Sequence, residues 1–132
     1  MSRTIKGSRQ SGKNLEEYVA RRIREEGLDS RAKRDGASGA GTKEKADIDT
    51  TLMILTRLAG IEVKHQQNIN IHDSWKQTQK LEKLGREPVL VFKRKTENYP
   101  DTKVIIYLDT FLELLKASKQ PKTVDSEDRE FQ

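Results

Sequence analysis

Apolar positions along the chain change their spacing several times, and each change predicts an element. From 13 to 27 the pattern is helical: Leu15, Val19 and Ile23 recur every fourth residue, and Gly27 stands where a helix C-cap belongs. A short strand is expected over 28–33, then a Gly/Ser-rich loop over 35–42. Strand character returns over 46–55 and 58–65, close enough to make a hairpin through Thr56 and Arg57. Residues 74–85 read as a second helix. Residues 88–92 and 104–108 read as apolar strands buried on both faces, separated by a polar connection. A last amphipathic helix over 110–116 is expected to open with a capping box of Thr110 and Glu113. The resulting order, αβββαββα, predicts an α/β fold in which a central mixed sheet is flanked by helices. Residues 1–12 read as a flexible basic arm, 13–117 as a single domain, and 118–132 as a disordered tail.

Two helical positions break the pattern they sit in. Stepping about 100° per residue, Leu15, Val19, Ile23 and Ala20 fall at about 0°, 40°, 80° and 140°, and Glu16 falls among them at about 100°. Glu17 falls outside the stripe. A carboxylate at a buried phase needs a partner, such as a basic side chain or a water bound to a metal. In the second helix Gln77 falls at about 200° from Trp75, between Leu84 and Leu81, so it is either a residue of the same site or the closing member of a Ser74 capping box. Lys80, one turn on, flanks that stripe.

In the strand over 58–65, Glu62 and Lys64 are two apart and project to one face, while Ile61 and Val63 project to the other. Asp47, on the preceding strand, can bring a second carboxylate to Glu62. Two carboxylates and a backbone carbonyl, that of Val63, are the hard oxygen ligands Mg²⁺ or Mn²⁺ prefers, and a lysine beside them suits phosphodiester hydrolysis. His65 faces away from that side chain pair and is expected to be structural.

Composition narrows the partners. Only 33% of the 132 residues are hydrophobic, 36% are charged, and there is no cysteine, so disulfides and thiolate metal sites are excluded. No apolar run is long enough to cross a bilayer, and the start carries no secretory pattern, which implies a cytoplasmic protein of a prokaryotic or phage-infected cell. The net charge of +5 is unevenly placed: Arg3, Lys6, Arg9 and Lys13 lead the chain, and Arg34 and Lys43 flank the glycine-rich loop. Such clusters suit a polyanion, and these six residues with Lys80 are the candidate contacts for its phosphates.

The run Gly12-Lys-Asn-Leu-Glu16, helix-ending Gly27, the loop Ser38-Gly39, Asp47, Glu62-Val-Lys64 and Gly85-Arg-Glu-Pro88-Val-Leu-Val together resemble the archaeal-type Holliday-junction resolvases of the PD-(D/E)xK, restriction-endonuclease-like nucleases, over roughly 7–117. The resemblance implies a restriction-endonuclease-like core and a Mg²⁺-dependent active site of Glu16, Asp47, Glu62 and Lys64, with Ser38 contributing from the loop. It further implies a homodimer that nicks two strands of a four-way DNA junction symmetrically. Where that family carries a basic residue after its first glutamate, this chain has Glu17. Two other readings stand beside it: a nuclease of the same superfamily for a flap, nick or duplex site, and a non-catalytic nucleic-acid-binding module.

Overall fold

The computed structural model describes residues 5–35 and 45–118, with side chains from 12 onward. Over these residues it is an α/β protein: three α-helices, a mixed sheet of four strands and a small antiparallel sheet of two.

Helix α1 (Ile5–Glu25) starts eight residues earlier than its apolar spacing predicts. Most of the segment expected to be a flexible arm is therefore helical; it contains no proline, and it is helical despite Gly7, Gly12 and the lack of an apolar stripe. Its C-terminus is as expected. Gly27 takes φ +74°, the Leu28 N–H donates to the Ile23 carbonyl and the Gly27 N–H to that of Arg24, a Schellman closure that favours glycine.

Strands β1 (Lys33–Arg34) and β2 (Ile48–Asp49) form the small antiparallel sheet. Strand β3 (Met53–Ile54) and β4 (Arg57–His65) form the expected hairpin, turned through Leu55 and Thr56 with Leu55 at φ +58°, one residue earlier than predicted. The single strand expected over 46–55 is broken, because Ile48 and Asp49 leave β4 to pair with β1. The excursion is held by Asp29, whose carboxylate accepts from the Thr50 hydroxyl and the Thr51 N–H.

Helix α2 (Ile71–Gln79) begins earlier than predicted, and its N-cap is Asn70, which accepts from the Asp73 N–H. The expected cap at Ser74 is replaced. The next turn tightens to a 3₁₀ segment, Lys80–Leu84, closed by Gly85 at φ +75°. Strand β5 (Arg86–Lys93) runs parallel to β4 along its whole length, and β6 (Lys103–Ile105) lies antiparallel on its far side. Pro88 is tolerated because β6 covers only Leu90–Phe92, so β5 is not yet paired on both sides there. The expectation that β6 is buried fails: it is a three-residue edge strand, and Val104 is 59% exposed.

Helix α3 (Leu108–Ala117) starts two residues early, so Thr110 lies inside it. Thr110 is buried and donates its hydroxyl to Glu87 Oε2 at 2.7 Å, which replaces the expected capping box. Tyr107 anchors the helix entry, donating to Glu82 and accepting from Gln79.

The core follows from the strand parity. Ala59, Ile61, Val63, Val89 and Val91 meet Leu15, Val19, Ala20 and Ile23 of α1, with Ala32 and Ile48 closing the edge. On the other face Leu90, Leu81 and Thr78 are fully buried. Gly60 has no room for a side chain there: a Cβ would stand 3.0 Å from Leu81 and Arg86 atoms. Among the described residues no helix is long and apolar enough to cross a membrane.

Candidate metal-dependent active site

Beyond Leu58, strand β3 no longer follows β4, and the edge of β4 is closed by the segment around Asp47. The Asp47 N–H donates to the Ile61 carbonyl at 2.9 Å, and the Val63 N–H donates to Asp47 Oδ2 at 2.8 Å. A side-chain oxygen thus does what a neighbouring strand's carbonyl would do. A strand residue sends its N–H and C=O to the same edge, so the Val63 carbonyl faces the side on which the Asp47 carboxylate stands.

Glu62 reaches this point from the sheet face and Glu16 from α1. The Glu62 and Asp47 carboxyls stand close enough for each to act on the other. Burial chiefly, then the charge of Asp47, pushes Glu62 up to about 8, and Lys64 opposes the rise. Glu16 is also raised, first by burial and then by Asp47, while Arg34 and Lys13 pull it down. Arg34 Nε lies 3.4 Å from Glu16 Oε1. Glu16 is 16% exposed at its side chain, whereas Glu17 is 52% exposed and pairs with Arg24 at 3.0 Å. The helical phase distinguished the two correctly.

These groups line one cleft of about 390 Å³, walled by Glu16, Asp47, Glu62, Val63 and Lys64. The cleft brings in four residues that sequence spacing did not assign to it: Gly12, His65, Gln66 and Lys95. His65 contributes to the wall despite its strand parity, because the strand ends there. Lys95 arrives from the turn after β5, brought to the cleft because β4 and β5 are parallel neighbours with His65 level with Lys93.

Several expected residues fall elsewhere. Gln77 is exposed; the buried side of α2 is Ser74 and Thr78, so Gln77 neither points inward nor closes a cap. The phase was misjudged because Leu84 lies outside the α-helix, in the tighter 3₁₀ turn, and is itself 49% exposed. Lys80 is exposed on that turn, away from the described walls of the cleft. Lys13 is exposed beside Glu16, and Arg34 is engaged with Glu16. Arg3, Ser38 and Lys43, and the side chains of Lys6 and Arg9, lie outside the described residues, as does the glycine loop.

The donor set fits a hard divalent cation in a limited way. Among the described residues no three His, Asp or Glu side chains are gathered into a cage for one ion. Asp47 and Glu62 offer two carboxylates, and the Val63 carbonyl offers a third oxygen on the same side. Mg²⁺ keeps several waters and takes one or two carboxylates, so the set suits it better than a dedicated all-protein site would. Two carboxyls crowded together at Asp47 and Glu62 mark the place where positive charge is wanted.

Compared with family models, with curated proteins and with solved structures, the chain matches none.

Proposed function

We propose that this cleft hydrolyses DNA phosphodiester bonds with a divalent cation, and that the chain is a structure-selective endonuclease acting on four-way junctions as a homodimer. The observation that carries the reading is the apposed Asp47–Glu62 pair in one cleft, with Lys64 projecting from the same face of β4 as Glu62 and Glu16 alongside. Two carboxylates forced together in a half-buried cleft are costly unless a cation or a proton joins them, and a stability role alone does not explain the arrangement. The order α1, distorted hairpin, β4, α2, β5, β6, α3, with a parallel β4–β5 pair at its centre, supports a restriction-endonuclease-like core.

In this reading Asp47, Glu62 and the Val63 carbonyl would hold Mg²⁺ or Mn²⁺, which when bound would supply Lewis acidity to a phosphoryl oxygen and a water. Lys64 stands beside the phosphorus and offsets negative charge as it develops there, or orients the attacking water. Glu16, held by Arg34 and made more basic by burial and by Asp47, accepts or relays a proton from that water. Lys95 and Lys13 stand where the flanking phosphates enter, and exchange counterions for phosphate oxygens.

The test is cleavage of a labelled four-way junction and of a linear duplex, with and without Mg²⁺, by the wild-type chain and by Asp47→Asn. Paired nicks in the junction that need both Mg²⁺ and Asp47 are expected. Cutting of duplex in preference to junction overturns the substrate; absence of metal-dependent cleavage of any DNA overturns the enzyme.

A further inference from the structure

The turn that follows β5 is built around a buried charge. Lys93, the last residue of that strand, is 3% exposed. Its ammonium donates to the carbonyls of Arg94 at 3.0 Å and Glu97 at 2.7 Å, and it lies 5.1 Å from the centre of the Tyr99 ring. Those two carbonyls bracket a four-residue turn, closed by the Glu97 N–H on the Arg94 carbonyl at 3.0 Å. An apolar side chain in this slot would spare the desolvation of a lysine, so what the ammonium adds is the fixed shape of the turn.

Other contacts hold the same turn from outside. The Glu97 carboxylate accepts the Arg94 N–H at 2.8 Å and, on its other oxygen, the Lys103 ammonium of β6 at 2.7 Å. The Thr96 N–H donates to the Gln67 side chain at 3.1 Å, which ties the turn to the chain just past β4. Between these anchors, at the second position of the turn, stands Lys95, which lines the cleft with Glu16, Asp47, Glu62 and Lys64. A lysine whose backbone is fixed beforehand loses less freedom when it settles on a phosphate than one on a loose loop.

We infer that Lys93 is a positioning residue: it meets no nucleic acid itself, and through the turn it gathers it holds Lys95 at the cleft as a fixed contact to one phosphate of the bound strand. This rests on the reading of the cleft as a DNA site, and adds to it the buried residue that sets the contact.

The test is the affinity of the full chain for a labelled four-way junction, read by fluorescence anisotropy in EDTA over a series of KCl concentrations. Lys95→Ala is expected to weaken binding about three- to tenfold and to reduce the slope of log affinity against log salt by about 0.9, the share of one phosphate contact. Lys93→Met is expected to lose the same share although the residue is buried, and Glu97→Ala likewise. Glu97→Ala removes an acid, so net charge alone predicts tighter binding, whereas loss of the turn predicts weaker. Adding Lys95→Ala to either variant should cost nothing further. Should Lys93→Met fail to fold, Glu97→Ala, at a partly exposed residue, carries the same test. Wild-type slopes in Lys93→Met or Glu97→Ala, tighter binding by Glu97→Ala, or losses that add to that of Lys95→Ala overturn the inference. The expected slopes without any Mg²⁺-dependent cleavage overturn the nuclease reading alone, and cleavage with unchanged slopes overturns the positioning alone. A wild-type chain that binds no DNA overturns both.

Discussion

The carboxylate of Asp47 accepts the Val63 backbone N–H at 2.8 Å, so one side chain is both a rung of the sheet edge and half of the paired carboxylate centre. The two roles can be separated by substitution. Asp47→Asn keeps an oxygen for the Val63 N–H and removes the charge; Asp47→Ala removes both. Asp47→Asn is expected to lose junction cleavage while its Tm stays close to wild type. Asp47→Ala is expected to lose cleavage and about 1–2 kcal/mol of stability as well. Urea unfolding of the two variants beside a cleavage assay checks the pair.

The Glu62 carboxyl, held up to about 8 by burial and by Asp47, makes stability fall as pH rises. Its folded pKa is above its unfolded one, so between pH 4.5 and about 8 the native state binds more protons than the unfolded state, and unfolding free energy declines across that window. Glu62→Gln should remove most of this decline and be more stable than wild type at alkaline pH by about 1–3 kcal/mol. Denaturant midpoints measured from pH 5 to about 9 test the sign; a wild-type midpoint that rises with pH through this range contradicts it.

Glu16 and Glu17 are neighbours with different surroundings, and their glutamine variants should diverge. Glu17→Gln removes an exposed pair with Arg24, worth about 0–1 kcal/mol, and should cleave DNA as wild type does. Glu16→Gln is expected to cut about a hundredfold more slowly or worse, with DNA affinity retained, as befits a proton-transfer role. Single-turnover cleavage rates with saturating enzyme give the comparison directly.

Glu87 is a structural carboxylate. It is buried on β5, within 3.4 Å of Arg57 from the hairpin and 2.7 Å of the Thr110 hydroxyl on α3. Glu87→Ala strands the Thr110 hydroxyl and unpairs Arg57, and is expected to cost about 2–4 kcal/mol. Thr110→Val, which keeps the shape, should cost less than Glu87→Ala. Chemical denaturation ranks them.

Gly60→Ala places a Cβ 3.0 Å from Leu81 and Arg86 atoms under the 3₁₀ turn, and is expected to destabilise the fold by about 1–3 kcal/mol without touching the cleft. Tm and cleavage rate, measured together, should show the first falling and the second unchanged at low temperature.

The parts of this fold legible from sequence were those governed by local rules. Glu16 was separable from Glu17 because Leu15, Val19, Ala20 and Ile23 fix the phase of α1, and Gly27 ended that helix through a backbone angle that glycine favours. Strands β4 and β5 were legible as apolar runs. The failures came where distant contacts outvoted local pattern. Ile48 and Asp49 leave the hairpin for β1, which only the folded chain can reveal. Thr110 has the composition of a cap, yet Glu87, 23 residues earlier, claims its hydroxyl. Gln77 was misplaced because a 3₁₀ turn changes the angular step after Gln79, so Leu84 no longer marks the buried face. Lys95 was missed because a turn residue carries no periodic signal; its place depends on which strand end it follows.

The rung that Asp47 makes with Val63 has a bearing on solubility. Past Leu58 the edge of β4 lies beyond the reach of β3, and an open row of N–H and C=O groups is a template on which another chain can add a strand. Asp47 closes that row with a charged side chain, and the Ile61 carbonyl is closed by its backbone N–H. The neighbouring apolar Ile61 and Val63 are the residues such an added strand would recruit. A chain that lost this acceptor would reopen the row, so Asp47→Ala should cloud on heating where Asp47→Asn, which keeps an oxygen for the Val63 N–H, stays clear.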